Sequence, residues 1–341
     1  MKRIGNLYDK VCDFENLLLA DQRARKGKNH TYGVRKFDQD PIGNLTALRK
    51  ALLDQTFKNS EYTISTIWEP KERQIHRLPY FPDRIVHHAI MNILERIWVS
   101  TFTRDTYSCI KNRGIHAAAN AVKSALRKDP EGTRYCLKLD VCKFYPSIKH
   151  EVLKGIIRKK IKDKKLLWLL DEIIDSAPGV PIGNYLSQYF ANLYMAYFDH
   201  WIKEVKGVKH YFRYADDMVV LAKTKAELHA LLRDIQEYFV GLQIEVKGNW
   251  QVFPIDARGL DFVGYVFYRT HTLMRKSIKQ NFFRKVARLN KRKKISEVEY
   301  KKALSPWWGW AKYCDSKNLI RKIKTSAKYE IEFKYPSGRA A

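Results

Sequence analysis

The sequence is short of acidic residues and lacks long apolar runs. Of its 341 residues, 64 are lysine or arginine and only 36 are aspartate or glutamate, so the net charge is +28. The positive electrostatic field of such a chain favours binding to a polyanion, either nucleic acid or an anionic membrane surface. No apolar run approaches the roughly 18 residues that span a bilayer, and no signal-peptide pattern follows residues 1–6. We therefore expect a nucleic-acid partner, no membrane and a cytoplasmic location.

Cysteine is also scarce, and its spacing excludes the common metal and redox patterns. The cysteines are odd in number, and none forms a Cys-x-x-Cys pair or a zinc pattern. We expect all of them to be buried thiols in a reducing compartment: Cys12, Cys109, Cys136, Cys142 and Cys314. A hydrophobic content of 45% and an aromatic content of 13% indicate a globular chain of two or three subdomains.

Residues 211–221 hold the most informative pattern, two apolar strand-like runs around a short polar step. Asp216 and Asp217 are adjacent at this step, where like charges repel unless a cation neutralises them. A solvated turn is the alternative for an isolated pair. However, residues 134–140 form a second apolar strand that ends in Asp140. Acids at neighbouring strand ends are typical of a two-metal phosphoryl-transfer site.

Two basic segments precede these strands. Residues 62–68 alternate as a strand, and a turn after them would present Lys71 and Arg73 away from the sheet. Such side chains are often only solvated, but beside a two-metal site they suit a nucleoside triphosphate. Arg113 and Gly114 lie in a loop that leads into a helix, where a glycine and a helix N-terminus can approach phosphate.

A Gly/Pro turn at residues 179–184 leads into an apolar helix that continues towards Val205. Gly183 has no side chain, so a base could lie directly on its backbone. An ordinary helix start is the alternative. The position of the segment, between the two acidic strands, favours a surface for the nascent base pair.

The remaining segments predict an α+β sheet with helices on one face. Residues 225–240 form an amphipathic helix, residues 241–247 a strand, and residues 259–267 one glycine-containing strand. Residues 271–341 carry 20 basic and 5 acidic residues on a helical pattern, which favours binding along a phosphate backbone. The tryptophans of this module are expected in its core.

The ordered motifs resemble those of reverse transcriptases. They are Asp140 with Phe144-Tyr145, then Gly183-x-x-x-Ser187-Gln188, then Tyr214-Ala215-Asp216-Asp217, then the Gly264-Tyr265 strand. The resemblance covers roughly residues 60–270, and the basic C-terminal module resembles the family's thumb. It implies an α+β right-hand polymerase: an N-terminal segment and fingers at 1–130, a palm at 131–270 and a helical thumb at 271–341. The palm is an antiparallel sheet backed by helices, with a helical fingers insertion at about 149–178.

A finer resemblance concerns Ile182 and Gln188. Most reverse transcriptases have glutamine before the motif glycine and proline after the serine, whereas this sequence has isoleucine and glutamine. That variant resembles the reverse transcriptases of diversity-generating retroelements. It implies an RNA-directed DNA polymerase, bacterial or phage-encoded, that makes error-prone cDNA from a retroelement template RNA for mutagenic retrohoming. The alternatives are a compact group II intron-like or phage-defence reverse transcriptase, or a catalytically silent RNA-binding protein.

The resemblance also implies roles for individual residues. Asp140, Asp216 and Asp217 would be catalytic and, with the Val141 carbonyl, would hold two magnesium ions. Tyr145 would exclude ribonucleotides, and Lys247 is a possible general acid. The residues that would bind the nucleotide are Lys71, Arg73, Tyr145, Ile182, Gly183 and Gln188. Those that would contact primer or template are Arg113, Gly264, Tyr265, Arg284, Lys285 and Arg288.

The partners implied in the same way are the template RNA, the cDNA/RNA duplex, deoxynucleoside triphosphates and a small basic oligomeric accessory protein. Ile182 also has a physical interpretation, because isoleucine packs but cannot hydrogen-bond near the nucleotide sugar. Fewer orienting contacts reduce discrimination against mispairs. We therefore expect Ile182 to contribute to infidelity.

Overall fold

The computed structural model describes residues 3–68 and 72–333. Within these ranges all the strands pair antiparallel, in three sheets of two, four and three strands. The order of the four-stranded sheet is β4-β5-β3-β6, so the two strands that carry the acids are neighbours. The strands are β1 Thr63–Trp68, β2 Glu72–Arg77, β3 Tyr135–Leu139, β4 His210–Tyr214, β5 Asp217–Ala222, β6 Gln251–Pro254, β7 Leu260–Phe262, β8 Tyr265–Phe267 and β9 Thr272–Met274.

Helices form most of the remaining regular structure. Their starts show familiar capping chemistry, since Asp40 accepts from the Gly43 N–H at the start of one helix and Ser296 forms a capping box with Glu299 at another. The helices are α1 Tyr8–Val11, α2 Phe14–Ala24, α3 Tyr32–Phe37, α4 Pro41–Leu53, α5 Ile85–Val99, α6 Ile115–Lys128, α7 Phe144–Ser147, α8 His150–Arg158, α9 Lys164–Ile174, α10 Tyr185–His200, α11 Lys225–Gly241, α12 Ile255–Arg258, α13 Lys276–Asn290, α14 Glu297–Ala311 and α15 Lys317–Ser326.

The chain folds into two compact units, each made of separate stretches of sequence. The first is built from Met1–Cys109, Val141–Gly207 and Asp234–Gly248. In it α5 packs against α2 and α10, and the β1–β2 hairpin forms a small sheet of its own. The second unit is built from Ile110–Asp140, Val208–Arg233 and Asn249–Ala341. It contains the four-stranded and three-stranded sheets, and α6 packs against both β4 and β8.

The basic C-terminal helices have their own core, as the sequence predicted. Phe282, Val286, Leu289, Tyr300 and Leu304 are buried together with Ile323. Trp307 stacks on Phe282 with ring centroids 5.6 Å apart, and Trp308 packs against the same ring edge-on. These two tryptophans therefore pack against the core of the module, which confirms the expectation for them.

Two strand predictions were wrong. Residues 241–247 form no strand, because the chain turns back at the end of α11: Gln243 has a φ of +52°, and the Ile244 N–H donates to the Phe239 carbonyl. The sheet strand begins later, at β6. Residues 259–267 form a hairpin rather than one strand, since Val263 and Gly264 have φ values of +43° and +86° and make the turn between β7 and β8.

The cysteine prediction was right for three residues and wrong for two. Cys12, Cys136 and Cys314 are buried thiols, whereas Cys109 is exposed and Cys142 half-buried, because both lie in turns rather than in packed elements. None of the helices in the described ranges is long and apolar enough to cross a membrane.

Candidate active site

Asp216 and Asp217 lie at the connection between β4 and β5, as the sequence predicted. Tyr214 pairs with Asp217, so only Ala215 and Asp216 link the two strands. Such tight connections require a positive φ, and Ala215 supplies it at +56°. Asp216 is thus presented at the tip of a rigid hairpin whose flanking residues Phe212 and Met218 are buried.

Asp140 follows the last residue of β3, and β3 is the strand beside β5. Leu139 pairs with Met218, which brings Asp140 next to the turn. Burial, the charge of Asp140 and a hydrogen bond with that carboxyl, together with Asp217, raise the pKa of Asp216 to about 7. Two carboxyl groups that share a site in this way resist simultaneous ionisation unless a cation lies between them.

Asp217 has different surroundings. Burial raises the pKa of its carboxyl to about 6, and Asp140 adds to the rise, while Lys138 and Arg275 oppose it. The Lys138 Nζ lies 3.7 Å from Asp217 Oδ1 and also donates to the Asp261 carbonyl at 2.6 Å. Arg275, directly before α13, forms an ion pair with the Asp261 carboxylate. A chain of polar contacts, through Lys138, Asp261 and Arg275, therefore links Asp217 to the three-stranded sheet and to the start of α13.

Lys138 is the site residue that the sequence interpretation missed. It stands two positions before Asp140, so the alternation of β3 directs both side chains to one face of the sheet. That i, i+2 spacing before the acid is the only signal in the sequence, and it does not reveal which partner the lysine meets.

The acids fit a divalent cation in part. The carboxyl groups of Asp140 and Asp216 are hydrogen-bonded to each other. Among the described residues, Asp217 Oδ1 is buried and accepts no hydrogen bond. Hard cations such as Mg²⁺ prefer carboxylate oxygens of this kind. The described ranges contain no group of three or more His, Cys, Asp or Glu side chains placed to hold a metal ion together. The fit to a cation therefore rests on the paired carboxyl groups of Asp140 and Asp216 and on the buried oxygen of Asp217.

The predicted nucleotide-binding residues belong to the first unit. Lys71 lies outside the described residues. Arg73 is exposed on β2, and Gln188 is exposed in the first turn of α10. Tyr145 is half-buried against the Phe144 ring, and its carbonyl accepts from the Val180 N–H at 2.9 Å.

Gly183 and Ile182 are tied to β2. The carbonyl of Ile182 accepts from the His76 N–H at 2.8 Å, which fixes the Gly/Pro turn against the strand that carries Arg73. Gly183 has a φ of +122°, and a Cβ there would stand 2.4 Å from the His76 carbonyl. Only glycine therefore fits this position, for reasons of backbone packing as well as of substrate access.

The predicted primer and template residues lie in the second unit. Gly264 is covered by the Trp310 ring, and Tyr265 is buried with its hydroxyl donating to the Trp310 carbonyl. Arg113 is half-buried in the turn before α6. Arg284 and Arg288 are exposed on α13, with Lys285 half-buried between them.

Val141 and Lys247 belong to neighbouring stretches of the first unit. Val141 forms an isolated bridge with Val246, the residue before Lys247, which is half-buried. The structure thus brings the three acids together in the second unit, and Arg73, Ile182 and Gly183 together in the first.

Comparison with known proteins identifies the family. The family described as "Reverse transcriptase (RNA-dependent DNA polymerase)" matches residues 67–267, more than half of the chain. The chain is 24% identical to Protein YkfC of Escherichia coli over 85% of its own length and 88% of that protein. It is 26% identical to the group II intron-encoded protein LtrA of Lactococcus lactis over 38% of its length, and 25% identical to the nuclear intron maturase 2 of Arabidopsis thaliana over 53%.

The chain spans about a quarter of those two intron proteins, 23% and 26% of their lengths. Among solved structures, apo telomerase from Candida tropicalis matches 80% of the chain and 60% of its own chain, with 12% identity and a TM-score of 0.49. The antiparallel sheets, the adjacent acidic strands and the family match together confirm the predicted α+β polymerase fold. The chain belongs to the reverse transcriptase family and is an RNA-directed DNA polymerase.

Proposed function

We propose that this polymerase makes error-prone cDNA from a retroelement template RNA for mutagenic retrohoming. The observation that carries the proposal is the motif Ile182-Gly183-x-x-x-Ser187-Gln188, which resembles that of diversity-generating retroelements. Its geometry supports a direct effect on fidelity. Ile182 and Gly183 are anchored to β2, the strand of Arg73, and the half-buried isoleucine side chain offers no hydrogen bond to a nucleotide.

In this proposal Asp140 and Asp216, with the carbonyl of Val141, hold two magnesium ions. When bound, these ions would activate the primer hydroxyl and neutralise the triphosphate. Asp217 supplies further negative charge, and the charge of Lys138, 3.7 Å away, favours its ionised form.

Other residues orient the substrates. Lys71 and Arg73 grip the triphosphate, Tyr145 excludes a ribose 2′-hydroxyl, Gly183 and Gln188 lie beside the base pair, and Lys247 protonates pyrophosphate as it leaves.

The same proposal assigns the partners. The template RNA and the cDNA/RNA duplex lie along the exposed basic face of α13, where Arg284 and Arg288 contact phosphate and Lys285 supports them. Arg113, Gly264 and Tyr265 lie near the primer or template. A small, basic, oligomeric accessory protein completes the retroelement. Because this chain carries a net charge of +28, we do not expect its contact with such a protein to be mainly electrostatic.

The test is the error spectrum of the cDNA. The resemblance to diversity-generating retroelements implies misincorporation mainly opposite template adenine. An Ile182→Gln variant should lower it because the amide restores an orienting hydrogen bond. Ile182→Leu is the matched control, since it keeps the packing and adds no polar group. An Ile182→Gln enzyme with the wild-type spectrum at adenine would contradict the role of Ile182.

A compact group II intron-like or phage-defence reverse transcriptase is the second candidate. The observation that favours it is the match to the group II intron-encoded protein LtrA. Accurate synthesis on a defined template would support this candidate over the first. The third alternative from the sequence, a catalytically silent RNA-binding protein, is disfavoured by the family match and by the three crowded acids, because RNA binding alone does not require them.

A further inference from the structure

Arg213 is a fully buried charged residue close to the catalytic turn. It lies in β4, and its exposed fraction is 0%. Burial of a guanidinium is costly unless its N–H groups are hydrogen-bonded. A hydrophobic residue would fill this strand position at lower cost, as Tyr211 and Phe212 do beside it. The presence of arginine therefore calls for a local reason.

One of the contacts of Arg213 reaches the catalytic turn. The Arg213 Nη1 donates a hydrogen bond of 2.9 Å to the carbonyl of Ala215. Ala215 is the first of the two residues that connect β4 to β5, and its φ of +56° is unfavourable for a residue with a Cβ. The acceptor of this hydrogen bond is therefore the carbonyl of the residue whose backbone is strained.

The same contact fixes the direction of Asp216. The carbonyl of Ala215 and the amide N–H of Asp216 belong to one planar peptide unit. Orienting that carbonyl therefore also orients the backbone from which the Asp216 carboxyl projects towards Asp140. Catalytic groups lose about 10²-fold in rate when they are displaced by about 1 Å.

We propose that Arg213 is a positioning residue, which holds the left-handed Ala215 peptide so that Asp216 is presented beside Asp140. This proposal concerns Arg213, which stands directly before the motif Tyr214-Ala215-Asp216-Asp217 quoted above. It depends on Asp216 being catalytic, so an Asp216→Ala enzyme must be inactive for the test to apply.

The test combines substitutions of Arg213 and Ala215. Arg213→Met keeps the length and removes the donor. It should lower kcat by about 30- to 100-fold, leave KM for the nucleotide within about threefold, and raise the Mg²⁺ concentration needed for half-maximal rate. Arg213→Lys, which keeps a charged donor with poorer geometry, should fall between Arg213→Met and wild type.

Ala215→Gly supplies the diagnostic step, because glycine adopts a positive φ without strain. In the Arg213→Met background it should recover about five- to tenfold of the lost rate, a larger gain than in wild type. The same pattern should appear without catalysis, as tighter Mn²⁺ binding by the double variant than by Arg213→Met in electron paramagnetic resonance.

Leu126→Ala in α6 is the stability control, since it opens a cavity in the second unit without removing a charge or a hydrogen-bond donor. Its kcat per folded molecule and its Mn²⁺ affinity should match wild type. If Arg213→Met does not fold, Arg213→Lys with and without Ala215→Gly gives the same comparison. The proposal is overturned if Arg213 variants keep wild-type kcat per folded molecule, or if Ala215→Gly restores neither rate nor Mn²⁺ affinity.

Discussion

At the residue scale, the ionised carboxylate of Asp216 destabilises the folded protein when no metal is bound. Its pKa is raised to about 7 in the folded protein, so the folded state prefers the protonated carboxyl. The stability that this preference contributes is present at low pH and is lost as the pH rises through about 7.

Asp216→Asn should therefore stabilise the metal-free protein. In the presence of a chelator at pH 8 we expect its melting temperature to exceed that of wild type by a few degrees, and the difference should shrink towards pH 4. Thermal unfolding at the two pH values measures this. Equal melting temperatures throughout would show that the acids are not crowded in the absence of metal.

Lys138 provides a second prediction, on the pH dependence of activity. Its charge lowers the pKa of Asp217, so Lys138→Met should raise that pKa further above its value of about 6. The variant should lose about tenfold in rate at pH 6.5 and only about two- to threefold at pH 8.5. Initial rates across this range give the comparison.

Lys223→Met is the control for Lys138→Met, because it removes the same charge from an exposed position of the second unit. It should leave the pH profile unchanged. A uniform loss for Lys138→Met at all pH values would mean that the lysine acts by packing or by contact with substrate, not through Asp217.

At the element scale, the β7–β8 turn and helix α14 depend on each other. Gly264 has a φ of +86°, and a Cβ there would come within 2.3 Å of the Trp310 ring. Gly264→Ala should therefore lower stability by about 2 kcal/mol or more, because both the backbone and the packing are strained. Denaturant unfolding measures the change.

Gly309→Ala is the matched control, at the residue directly before Trp310 in α14. Within the described ranges, and apart from its chain neighbours and the helix's own backbone, no atom lies within 4 Å of a Cβ at this position, so alanine should be neutral or should stabilise the helix by up to about 1 kcal/mol. Equal effects of the two substitutions would contradict the close packing of the tryptophan on the β7–β8 turn.

The sequence predicted those elements whose patterns are strictly local. The alternation on both sides of Asp216 and Asp217 was enough to predict the hairpin, and the apolar run before Asp140 was enough to predict β3. Residues 241–247 were misassigned because Ile244 and Val246 alternate as in a strand, whereas the end of α11 makes the chain turn back there. Partners such as Lys138 and Arg213 depend on strand register and turn geometry, which no local pattern encodes.

At the scale of the whole molecule, charge determines how the protein meets nucleic acid. The net charge is +28, and Arg284 and Arg288 present part of it on an exposed helix face. RNA binding should weaken steeply with salt, because the protein releases counterions from each phosphate that it neutralises. Replacing both arginines by alanine should reduce the slope of log K against log salt by about 0.7 for each phosphate that is no longer neutralised.

Lys10→Ala with Lys50→Ala is the control for those arginines, since it removes two exposed charges from α1 and α4. Binding measured over a series of salt concentrations should show a smaller change in slope for this pair. If both pairs reduce the slope equally, the field of the whole chain, rather than the α13 face, carries the interaction with RNA.

The most direct test of the account is DNA synthesis on a defined RNA template with magnesium, comparing wild type with Asp216→Ala and sequencing the products. The account predicts deoxynucleotide extension by wild type, a loss of at least about 10³-fold in the variant, and errors concentrated opposite template adenine. Accurate synthesis would keep the polymerase and reject the retroelement assignment. Full synthesis by Asp216→Ala would contradict the catalytic site itself.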